Sequence, residues 1–103
     1  MTAPFSFHPA ARRELIETVR FYQSERPGVG AEFAKEVRDS IDQIVTHPLS
    51  GSPGPGQTRN KILPHFPYTV VYLFEGAEIK IIAVAHQRRK PGYWRDRLGE
   101  RGG

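Results

Sequence analysis

Apolar positions change period once along the chain, near residue 50, dividing it into a helical half and a strand half. Leu15, Val19 and Tyr22 recur at helical spacing, with Ala11, Ile16 and Phe21 widening the stripe, so Ala10 to Glu25 is predicted as an amphipathic helix. A second helix is predicted from about Val29 to His47, with Phe33, Val37, Ile41, Ile44 and Val45 inward and Glu32, Lys35, Glu36, Arg38, Asp39 and Asp42 outward. Arg26 to Gly30, RPGVG, terminates the first helix and turns the chain, which makes the pair an antiparallel hairpin with one apolar face. Before it, Phe5 and Phe7 alternate within Pro4 to His8 as a short edge strand; Pro9 stops that pairing and suits a first helical turn.

Pro48 to Gln57 holds three Pro and three Gly in ten residues and reads as a loop. Beyond it the period becomes that of strands, predicted at Arg59 to Leu63, Tyr68 to Phe74 and Glu78 to Ala85, with Glu75-Gly76-Ala77 closing a hairpin. The runs VVYLF and IKIIAVA are too apolar to face water on both sides, and the helical hairpin offers a cover. The expected fold is α+β in the order β-α-α-β-β-β: a small antiparallel sheet with the hairpin on one face.

With 103 residues the chain is expected to be a single domain, its core within about 4–94 and residues 95–103 a flexible tail. No window approaches the roughly 18 consecutive apolar residues of a membrane span, and the N-terminal stretch lacks an apolar leader core. Zero Cys removes disulfides and thiolate chemistry; a cytoplasmic location and no membrane partner are expected. The formal charge of +4 is unevenly spread: from His86 to Arg97 five Lys/Arg face one acid, Asp96. That segment reads either as a solvated basic tail or as a docking surface, since cations interleaved with Tyr93 and Trp94 offer both neutralisation and stacking.

Candidate chemistry narrows the picture further. The four His share no metal-ligand spacing, no glycine-rich loop opens a helix after a strand, and no Ser sits in a His/Asp pattern. No cofactor and no metal are expected. A metal-independent ribonuclease needs a base, an acid and cations around the phosphate, and His86, Arg88 and Tyr93 with Arg59 and Lys61 would suffice in type. The same residues also make a plain anion-binding rim, and Tyr93-Trp94 could equally pin the tail to the sheet.

HPAARREL (His8 to Leu15), THPLSG (Thr46 to Gly51), FPYTVVY (Phe66 to Tyr72) and IIAVAHQRRKPGYW (Ile81 to Trp94), in this order, resemble the RelE/ParE superfamily of type II toxin-antitoxin toxins. The resemblance extends from Phe5 to about Trp94. It implies one of two activities, ribosome-dependent mRNA cleavage or growth inhibition by binding DNA gyrase, and an inactive basic interaction module is the remaining alternative. Against the nuclease pattern, Thr69 stands where an Arg would follow the aromatic, and the basic pair falls on Asn60 and Ile62, one residue out of phase with Arg59 and Lys61. Arg88 is retained, and Tyr93 matches the C-terminal Tyr.

AHQR (Ala85 to Arg88) is similar to the end of the last strand in ParE-type toxins, which favours the gyrase-binding type. The resemblance then implies plasmid stabilisation, a cognate antitoxin that wraps the toxin in a hetero-oligomer, and operator DNA bound only through that antitoxin. The expected target-binding set is His86, Arg88, Arg89, Lys90, Tyr93 and Trp94. Under the nuclease alternative, with ribosome and mRNA as partners, the catalytic set would be Arg88, Tyr93, Lys61 and Arg59.

Overall fold

The structure, a computed structural model, describes residues 3–100. Strand β1 (Phe5–Phe7) hands the chain directly to helix α1 (Pro9–Glu25). His8 makes that junction in three residues: its backbone N–H donates to Ile81 O at 2.9 Å, its Nδ1 accepts from the Ala10 N–H at 3.0 Å, and Pro9 follows at the first helical position. Arg26 ends α1 in extended backbone, and Gly28, at φ 95°, caps helix α2 (Val29–Thr46) in the left-handed region that glycine tolerates. Where the helices cross, a Cβ on Gly30 would stand 2.6 Å from Val19 O, so the hairpin can close this tightly only over a glycine.

After the Pro/Gly loop, in which Ser52–Pro53 forms a two-residue strand β2, come β3 (Arg59–Ile62), β4 (Tyr68–Glu75) and β5 (Glu78–His86). The sheet runs β1-β5-β4-β3-β2. The α+β class and the element order are as expected, with the sheet mixed rather than wholly antiparallel: β1 pairs parallel to β5, Phe5 opposite Ile79 and Phe7 opposite Ile81. The helical hairpin between β1 and the later strands supplies the long crossover that a parallel pairing requires.

The inner face of the sheet carries Val70, Tyr72, Ile79, Ile81 and Val84 against Ala11, Phe33, Val37, Ile41 and Ile44 of the helices. Tyr22, Phe33, Phe66 and Tyr68 pack beside it, edge to face between Tyr22 and Phe66 at 5.0 Å and between Phe33 and Tyr68 at 5.1 Å, and tilted between Tyr22 and Phe33 at 5.5 Å. Tyr72 also ties down the loop: its hydroxyl donates to Pro48 O at 2.6 Å and accepts from the Gly51 N–H at 3.0 Å.

A second cluster, Val71, Leu73, Ile82, Ala83, Ala85 and Trp94, lies on the outer face. A register shift produces it: Val71 opposes Ala83 but Tyr72 opposes Ile81, so Ile82 is an extra residue in β5 and both Ile82 and Ala83 turn outward. The helices cannot reach this face. Its cover is the segment after β5, where Trp94 is buried, Leu98 packs alongside, and Arg95–Glu100 forms a short 3-10 turn. Residues 95–100, expected as part of a flexible tail, are therefore structured, because β5 leaves apolar surface there that water would otherwise meet. Residues 101–103 lie outside the described part.

Candidate docking groove on the outer sheet face

Beside Trp94 the outer face opens into a groove of about 330 Å³. Asn60 and Ile62 of β3 and Thr69 of β4 line one side; His86, Gln87, Arg89, Lys90 and Tyr93 line the other, with Val71, Ala85 and Trp94 also bordering it. Strand alternation fixes this assignment. Asn60 and Ile62 line the groove, whereas Lys61, between them, lines a separate hollow with Glu32, Glu36 and Asp39 of α2, which Ile62 at the end of β3 also borders.

The basic side is a turn built on His86. Its Nδ1 accepts from the Arg88 N–H at 3.0 Å, so any ring proton resides on Nε2, and its backbone carbonyl accepts from the Arg89 N–H at 3.0 Å. Gln87 N–H donates to Pro67 O at 2.8 Å, and the His86 ring packs edge-on to Tyr68 at 4.9 Å. Gly92, at φ 75°, reverses the chain so that Tyr93 and Trp94 return to the sheet. The Arg89 guanidinium lies 3.9 Å from the Tyr93 ring centroid, which keeps its charge at the mouth of the groove.

Behind the turn stands a carboxylate that the periodicity of α1 did not single out. Glu14 Oε2 accepts from the Tyr93 hydroxyl at 2.6 Å and from Arg97 Nη2 at 2.8 Å; Oε1 accepts from Arg97 Nη1 at 2.9 Å and from the Val84 N–H at 3.0 Å. Arg97 Nη1 also donates to Ile82 O at 2.9 Å. These backbone groups belong to the part of β5 beyond its pairing with β1, so two side chains take the place of a neighbouring strand there. Burial alone would raise the Glu14 pKa, yet bonds from Arg97, Tyr93 and Val84 outweigh it and hold the carboxyl below its ordinary value. Burial, reinforced by the bond to Glu14, pushes the Tyr93 phenol far up, and Glu14 likewise raises Arg97.

The residues expected at the site divide accordingly. His86, Arg89, Lys90 and Tyr93 border the groove, whereas Arg88 is exposed on the same turn outside its lining. Trp94 is only 5% exposed and packs into the outer core, so it is an anchor and cannot present its ring to a partner. Arg59 donates from Nη1 to Leu49 O at 3.2 Å and Gly51 O at 2.8 Å, which makes it a tether for the Pro/Gly loop. Arg59, Lys61, Arg88 and Tyr93, the set needed for a nuclease, do not converge: Tyr93 alone of the four lines the groove. Glu14 and Arg97 were missed because their partners lie 83 positions apart; the available signal was a lone acid, Glu14, at the margin of the apolar stripe of α1.

Among the described residues no group of three or more His, Asp or Glu could hold a metal, and no helix is long and apolar enough to cross a membrane. The search of curated proteins finds no match. Among solved structures the fold is similar to a chain of the "Chromosomal ParDE TA system from P. aeruginosa", with a TM-score of 0.70 at 15% identity over 82% of this chain and 96% of that one. The profile of the family described as "ParE toxin of type II toxin-antitoxin system, parDE" matches residues 5–91. With most of its length, both helices and the groove-bearing sheet inside that match, the chain belongs to the ParE toxins of type II toxin-antitoxin systems.

Proposed function

We propose that this toxin inhibits growth by docking on DNA gyrase through the His86–Lys90 turn and the groove beside it, with no covalent chemistry of its own. The observation that carries this reading is the neutral wall of the groove: Asn60, Ile62 and Thr69 line it, where a phosphate-cleaving site needs cations. Tyr93 adds to it, because a phenol bonded to Glu14 and pushed to a high pKa is a poor proton shuttle near neutrality. The aromatics also favour a protein partner over a nucleic acid. Trp94 is buried and the Arg89 guanidinium lies over the Tyr93 ring, which leaves little aromatic surface for a base to stack on.

Exposed Arg88, Arg89 and Lys90 would then meet acidic groups of the target, and Ile62, 64% exposed at the groove, would receive an apolar side chain. A cognate antitoxin would neutralise the toxin in the cytoplasm, bring it to operator DNA, and give the module its plasmid-stabilising effect. Supercoiling by purified gyrase tests the reading: inhibition at stoichiometric toxin, weakened by Arg89→Ala and Lys90→Ala together, is expected. Full supercoiling at toxin excess, with codon-phased mRNA cuts on translating ribosomes that Arg88→Ala abolishes, would replace it with the nuclease reading.

A further inference from the structure

The turn that carries Arg88, Arg89 and Lys90 contains little that could hold it in place. Its internal bonds are local, Arg88 N–H to His86 Nδ1, Arg89 N–H to His86 O and Tyr93 N–H to Lys90 O, and Gln87 N–H to Pro67 O secures only its first residue. At its far end the chain is fixed by Tyr93, Trp94 and Arg97, and two of those three side chains end on the same carboxylate. We propose that Glu14 is the positioning residue of the docking turn: by binding Tyr93 and Arg97 from α1, it sets where the cations of residues 88–90 stand relative to the groove.

The inference rests on the docking reading of the turn and concerns how that surface keeps its shape. The mechanical path is short. Glu14 fixes the Tyr93 hydroxyl at 2.6 Å, and the Tyr93 ring in turn seats the Arg89 guanidinium at 3.9 Å. The paired bonds from Arg97 Nη1 and Nη2 define the orientation of the carboxylate plane as well as its position, which a single contact would leave free to rotate. Its Oε1 is at the same time bonded to the Val84 N–H, so the clamp is referenced to β5, the strand from which the turn departs. Turn and groove floor are thereby located against one rigid strand and one rigid helix.

Glu14→Gln and Tyr93→Phe in the full chain test this, since both keep side-chain volume and remove respectively the charge and the hydroxyl; Glu14→Ala is the stronger variant. Trp94 is the single tryptophan of the sequence, so its emission reports release of the segment directly. The expected result is amide exchange about tenfold faster at Arg89, Tyr93, Arg95 and Arg97 in Glu14→Gln, with a red-shifted Trp94 emission and unchanged exchange in α2 and β4. Growth inhibition on induced expression should weaken in parallel. Exchange that rises uniformly through the protein would reduce Glu14 to a general stabiliser and overturn the proposal. So would a loosened turn with undiminished growth inhibition. Wild-type protein that leaves growth unaffected would sink the docking reading instead, and the exchange and fluorescence results would still decide whether Glu14 holds the turn.

Discussion

On the inner face of the sheet, Val70, Tyr72, Ile79, Ile81 and Val84 meet two full helices, whereas on the outer face Val71, Leu73, Ile82, Ala83 and Ala85 meet a tryptophan, a leucine and a 3-10 turn. The inner side is closed by area: apolar residues from long elements bury one another and need few directional contacts. The outer side has too little cover to close that way. There the decisive contacts are polar and directional, from Glu14 and Arg97 to the free groups of β5 and to Tyr93. The candidate docking groove lies on this second side, where shape depends on a few bonds rather than on bulk, so function and stability are expected to separate under mutation.

That contrast can be broken most directly at Phe33, which is wholly buried between the helices and the sheet. Phe33→Ala should lower unfolding free energy by about 4 kcal/mol in urea titrations, while truncations on the outer side cost visibly less. Arg97→Ala is next, at about 2 kcal/mol, because it leaves Glu14, whose side chain is 16% exposed, without its charged partner. A loss as large as that of Phe33→Ala would erase the distinction between the faces. Tyr72→Phe keeps the buried ring and removes only the bonds to Pro48 and Gly51, so about 1 kcal/mol is expected, with proteolysis appearing first in the 48–57 loop.

The pH response should belong to the outer side. Glu14 has a folded pKa below its ordinary 4.5, so its contribution is fully present above that value and is lost as pH falls through the folded pKa. The Tm gap between wild type and Glu14→Gln should therefore be constant from pH 7 to about 5 and narrow toward pH 3. A gap that persists at pH 3 would show that the charge of Glu14 is not what matters. At the small end, Lys35→Ala removes an ion pair to Asp39 at 2.8 Å between two exposed side chains on α2, and no measurable change in Tm is expected.

The same division decides how much could be read from the chain. The helices and the central hairpin announced themselves because burial on one face imposes a period, as Leu15, Val19 and Tyr22 or Ile41 and Ile44 do. IKIIAVA, buried on both faces, carries no period, so the phase slip at Ile82 that creates the outer core leaves no trace in it. Three residues of β1 could suggest a strand but could not disclose that it would lie parallel to β5, which depends on the crossover. At the site, the out-of-phase placement of Arg59 and Lys61 was legible from alternation, and Asn60 and Ile62 rather than those cations line the groove. Trp94 could be read equally as an anchor or as a contact residue, and its packing against Val71, Leu73, Ile82, Ala83 and Ala85 decides for the anchor. The clamp at Glu14 was not legible, since its side-chain partners Tyr93 and Arg97 lie 79 and 83 positions away and are polar.

The pairing of β1 with β5, and of Glu14 with Arg97, also orders events during synthesis. Strand β1 and the carboxylate of α1 are made well before their partners, Ile79 to Ile81 and Arg97. A nascent chain can form the helical hairpin early, because its contacts are local, but it cannot complete the sheet until β5 is available, nor clamp the basic turn to Glu14 until Arg97 is. The turn at the candidate groove therefore takes shape after the helical hairpin, once the strands and the Arg97 segment are in place.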